Sequence, residues 1–80
     1  MNGWCKLIDN INGVMTIGYS LEENKDCDGR ILFNPDTKEM QISKLANGAS
    51  EILTKHFICP LRSKIRKGLT LNKLYYVAVG

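Results

Sequence analysis

The residues able to do chemistry in this chain fall into three groups. Asn24-Lys25-Asp26-Cys27-Asp28-Gly29 sets side-chain oxygens at alternate positions ahead of a glycine. Such oxygens can converge on one hard cation while the glycine takes the bend. His56 and Cys59 stand three apart, a spacing that shares one side of a helix. With Cys5 and Cys27 they would total the Cys₃His donors of a structural zinc site. The third group is basic: Lys55, Arg62, Lys64, Arg66 and Lys67, four of them within six residues.

None of the three closes into a catalytic constellation. The acidic run, Asn24 to Ile31, resembles the opening of an EF-hand loop. It departs from that pattern at Asn24, where Asp is usual, and at Pro35, where a bidentate Glu would complete the ligand set. Its flanks read as strands. The run is therefore an acidic connection, with Asn24, Asp26 and Asp28 as the candidate positions for a cation, and no metal or cofactor is expected. Zinc modules bring their thiolates in close Cys-x-x-Cys pairs, which are absent here. There is one His, no glycine-rich phosphate loop and no nucleophile with a neighbouring base. The expectation is a non-enzymatic protein, with no small-molecule substrate inferred.

Three cysteines leave one unpaired in a monomer. The residues from Met1 to Lys6 show no charged-then-apolar leader, so three thiols in a reducing cytoplasm are expected. Cys5 and Cys59 sit among apolar residues and read as small core residues. Cys27 sits among carboxylates, which should raise its thiol pKa and keep it unreactive.

The elements that must position these groups follow from periodicity. Eighty residues, 44% of them apolar, suffice for one α+β domain over 1–80 and exclude a disordered chain. No apolar run approaches the length of a membrane span. Segments 4–11 and 14–21 flank Asn12-Gly13, the strongest short hairpin signal. A two-residue loop sets Ile11 opposite Val14. Unbroken alternation then puts Trp4, Ile8, Met15, Ile17, Tyr19 and Leu21 on the core face. A second hairpin, 30–34 and 39–43, turns at Asn34-Pro35-Asp36 and offers Ile31, Phe33, Met40 and Ile42 to the core.

From about 48 to 67 the period becomes helical, with Ala49, Ile52, Leu53, Phe57, Leu61, Ile65 and Leu69 as the apolar stripe. Asn47 or Ser50 can cap its start, and Gly68 can end it. Pro60 removes one backbone bond, so the helix is kinked or broken near it. The final run, 73–80, is apolar on both faces and reads as an interior strand. The expected fold is a β-β-β-β-α-β antiparallel sheet of about five strands with one helix packed on one face.

Two surfaces then compete for function. One helix covers one face of the sheet. The other face would hold Leu7, Ile11, Val14 and Leu32, together with Cys5 and alternate residues of the last strand. That is more apolar than a wet antiparallel face should be. These residues predict a protein-interaction module, with a homodimer or another protein as partner. The alternative partner is nucleic acid, held by Lys55, Arg62, Lys64, Arg66 and Lys67. Residues 1–43 carry four basic against seven acidic residues, net −3, while 44–80 carry seven against one, net +6. A basic stripe of this kind attracts polyanions, although cations also suit the negative end of a helix.

Overall fold

Asn12 and Gly13 both take positive φ, 54° and 79°, as a type I′ turn requires. They join β1 (Gly3–Ile11) to β2 (Val14–Leu21), and Ile11 pairs with Val14. β3 (Gly29–Asn34) and β4 (Glu39–Lys44) form the second hairpin. Its turn is built on Asn34, whose side-chain oxygen accepts the Asp36 N–H at 2.9 Å. The computed structural model describes residues 2–78. It is an antiparallel five-stranded sheet with one helix between the fourth and last strands, an α+β fold of the expected class.

The helix α1 (Glu51–Arg66) runs unbroken through Pro60. Ser50 caps it, its hydroxyl accepting the Leu53 N–H at 3.1 Å. At the other end Gly68 N–H donates to the Ile65 carbonyl and Leu69 N–H to the Lys64 carbonyl, a Schellman pair. The side facing the sheet is Thr54, Phe57, Ile58 and Leu61. Ile52 and Leu53, expected in the stripe, are 68% and 38% exposed, outside the sheet-facing side that Thr54, Phe57, Ile58 and Leu61 define. Thr54 takes the core position instead, where its hydroxyl lies 2.8 Å from that of Tyr19.

The last strand, β5 (Tyr75–Val77), is short and pairs with β1, giving the order β4-β3-β2-β1-β5. It lies at the edge rather than in the interior. β1 to β4 are consecutive antiparallel neighbours, so the outer sides of β1 and β4 are the only places left to pair. The return from the helix reaches β1 early, where Leu7 N–H donates to the Leu71 carbonyl. Val79 and Gly80, expected in this strand, lie outside the described residues.

The core forms between helix and sheet from Cys5, Ile17, Tyr19, Ile31, Phe33, Phe57, Leu61, Leu71 and Val77, among others. Cys5 replaces Trp4 there because β1 does not alternate throughout. A bulge between Leu7 and Asp9 sets Leu7, not Ile8, opposite Ile17. One extra residue reverses the facing of everything beyond it. Leu7 therefore lies on the helix side, and Trp4 and Ile8 turn to the opposite face. Ile8 packs there beside Gly18, where an added Cβ would come within 2.9 Å of its Cδ1.

Candidate functional site

The face away from the helix is open at one end and covered at the other. The connection 22–28 folds back over Gly18 and Ser20, with the Cys27 carbonyl so close to Gly18 that a Cβ there would sit 2.9 Å from it. Ser20 is fully buried; its hydroxyl accepts the Cys27 N–H at 3.1 Å and donates to the Asn24 carbonyl. Arg30 clamps the loop by donating to the Cys27 and Gly29 carbonyls at 2.7 and 2.8 Å. Trp4 donates its indole N–H to the Glu22 carbonyl, packs on Tyr76 with centroids 4.9 Å apart, and carries the Lys25 ammonium over its ring.

Beyond this cover lies an uncovered apolar strip of Ile8, Ile11, Val14 and Leu32. Ile11 is the most open at 62%, Ile8 is 39% exposed, and Val14 and Leu32 are half-buried. Ile11, Val14 and Leu32 thus share the face expected of them. Leu7 does not join them, for the parity reason given above. Ile8 belongs to the strip instead. Its sequence signal is the Leu7-Ile8 pair, two adjacent apolar residues where alternation slips. Charges of both signs border the strip: Lys6 and Asp9 on β1, Glu39 and Lys44 on β4.

The acidic loop spends its oxygens internally. Asn24 Oδ1 accepts the Asp26 N–H, and Asn24 Nδ2 donates to Asp28 Oδ1. The other Asp28 oxygen accepts the Asn47 N–H at 3.2 Å, tying the loop to the helix approach. Among the described residues no group of three His, Cys, Asp or Glu is arranged to hold a metal ion. Cys5 and Cys27 are buried on the sheet, whereas His56 and Cys59 are exposed on the helix. Cys59 is therefore not the core residue its apolar neighbours suggested: it falls on the outward side of α1. Burial pushes the Cys5 thiol up to about 12, with Cys27 a lesser cause. The Cys27 thiol is also raised. The main cause is burial rather than carboxylates; Asp28 adds a little, while the Ser20 hydroxyl, Lys6 and Arg30 oppose it.

The basic residues of α1 divide. Lys55 pairs with Glu51 at 3.2 Å, an exposed contact one turn apart. Lys64, Arg66 and Lys67 are exposed in the last turn. Arg62 is half-buried, and its Nε is enclosed without a hydrogen-bond partner. Arg62 and Arg66 border a cleft of about 470 Å³ between the helix end and the sheet. Leu7, Met15 and Phe33 form its floor, and Ile65, Leu69 and Leu71 its walls. Lys38 completes a rim of three cations, with no carboxylate in the lining. The signal for this cleft was present in the basic residues flanking Leu61, Ile65 and Leu69. The missing half was Leu7, whose facing depends on the bulge. No helix among the described residues is long and apolar enough to cross a membrane. Comparison with known proteins finds no matching family model, curated protein or solved structure.

Proposed function

We propose that this chain is a protein-interaction module that pairs with a second copy of itself through the uncovered sheet face. The observation that carries this reading is the strip of Ile8, Ile11, Val14 and Leu32, with Ile11 mostly in solvent. Contiguous apolar surface on an otherwise polar face favours association. A two-fold contact presents the same face twice, so it needs charges of both signs. Lys6 and Asp9, and Glu39 and Lys44, meet that need. With extents of 30 × 25 × 23 Å, a whole broad face spans about 750 Å², and the 22–28 connection covers one end of it, so the open strip falls below the ~800 Å² per partner of a standard interface and fits a weak, concentration-dependent dimer. Three free thiols, one of them exposed, suit a reducing compartment, which is the ground for a cytoplasmic assignment.

The test is sedimentation velocity from micromolar to hundreds of micromolar protein. A dimer is expected, dispersed to monomer by Ile11→Asp, with the far-ultraviolet circular dichroism unchanged because Ile11 is mostly exposed. Charge reversal at Arg62 and Arg66 should leave the dimer intact. A monomer throughout the range overturns the reading. Nucleic acid is the alternative, supported by the exposed Lys64, Arg66 and Lys67. It takes over if mixed DNA or RNA is shifted in a salt-dependent way that the Arg62/Arg66 reversal abolishes.

A further inference from the structure

We propose that the cleft under the end of α1 binds a medium-chain aliphatic carboxylate. Seven apolar side chains line it, Pro35 among them, and Leu7 leaves 37% of its surface open. Its volume, about 470 Å³, lies within the ~300–1,000 Å³ of small-molecule sites. At ~30 Å³ per water-sized group it holds roughly fifteen heavy atoms.

The charge at its mouth selects the head group. Lys38, Arg62 and Arg66 supply three cations and no acidic residue lines the cleft. Arg62 also lines the two neighbouring hollows that Met40 shares, one with Glu51 and the other with Glu39, so a lining with cations alone is particular to this cleft. Arg62 has no ion-pair partner among the described residues. A carboxylate at the rim answers a guanidinium in the geometry that guanidinium favours.

The walls select the tail. Leu, Ile and Met side chains accept a flexible chain. The one aromatic in the lining, Phe33, is only 3% exposed, so there is no ring face on which a planar ligand could stack. A polyanion would set further charges against Leu7, Ile65 and Leu69, where nothing pairs with them. A single charge on an apolar chain satisfies both halves of the cleft.

The experiment is a ¹H–¹⁵N correlation titration of the full chain with decanoate, kept below its micelle concentration. Acetate and decyltrimethylammonium serve as head-only and opposite-charge probes. Decanoate should shift the amides of Leu7, Ile65, Leu69 and Leu71, with acetate inert and the cationic chain at least tenfold weaker. Arg62→Gln should weaken decanoate at least tenfold. If that variant fails to fold, Arg66→Gln combined with Lys38→Gln carries the same expectation. The proposal is overturned by the absence of binding at millimolar decanoate, or by equal affinity for the cationic chain. Shifts centred on Ile11, Val14 and Leu32 would overturn it too, as would folded variants that bind like the parent.

Discussion

At the scale of single residues, the buried polar atoms decide more than their number suggests. Tyr19 has no exposed surface, yet its hydroxyl accepts the Ala46 N–H at 3.0 Å and lies 2.8 Å from Thr54 Oγ1. It thereby joins β2, the helix approach and α1. Tyr19→Phe keeps the ring and strands two buried polar groups, a loss of about 1–3 kcal/mol. Each kcal/mol lowers the melting temperature of a domain this size by ~4–8 °C, so calorimetry should record a clear drop. The thiols give a second expectation. A thiol that stays protonated in the fold but ionises in the unfolded chain favours unfolding as pH rises. The thiols' contribution to stability should be constant below about pH 8. It should fall as pH climbs toward the Cys5 value of about 12, with Cys27 acting in the same direction. In native protein a disulfide reagent should titrate Cys59 rapidly, and all three thiols only in denaturant. Fast reaction of Cys27 would mean that loop 22–28 opens readily.

At the scale of elements, the helix runs against its own sequence at one point. Pro60 has no N–H for the His56 carbonyl, but His56 is exposed, so water can serve that oxygen. The Ser50 cap and the Schellman pair hold the two ends while the buried stripe spans the defect. Pro60→Ala should therefore stabilise the protein, by ~1–3 kcal/mol given the usual cost of an internal proline. Ser50→Ala should destabilise it by about 1 kcal/mol. Urea denaturation measures both. A destabilised Pro60→Ala would mean that the ring's packing outweighs the missing bond. In the sheet, β1 carries the comparable irregularity. Its bulge sends Cys5 and Leu7 to the helix and Ile8 to the open face. The expected core residues on β2, β3 and β4 hold their places because no bulge interrupts the pairing between Met15 and Tyr19 or between Ile31 and Met40.

At the scale of the whole molecule, the surface is that of a folded monomer. The accessible area of 5000 Å² is close to the roughly 4,900 Å² expected for a compact chain of this mass. A dimer would thus join two finished folds rather than complete one. Its stability should add to that of the monomer by mass action. The melting temperature is expected to rise with protein concentration over the range in which sedimentation shows pairing, and Ile11→Asp should remove that dependence. The sheet strip and the basic-rimmed cleft approach each other at Arg62, which shares a hollow with Val14 and Leu32, whereas Ile11 and Arg66 lie in no common hollow. Ile11→Asp should leave binding in the cleft unchanged, and Arg66→Gln should leave pairing through the strip unchanged.

Local chemistry determined the hairpin turns, the helix with its Ser50 start and Gly68 stop, the five-strand α+β class and the apolar character of the face bearing Ile11, Val14 and Leu32. These depend on near neighbours: turn residues with the right φ, caps in reach of free N–H groups, and alternation within one hairpin. Three outcomes depended on distant parts of the chain. The bulge reversed Leu7 and Ile8, because facing is a property of pairing and one unpaired residue resets it. The last strand went to the edge, because earlier hairpins had already filled the interior positions. Arg62 and Arg66 came to stand over Leu7, Met15 and Phe33, because packing the helix on the sheet joined a basic stripe to an apolar floor some thirty or more residues away in sequence. That cleft exists only between layers, and neither layer shows it alone.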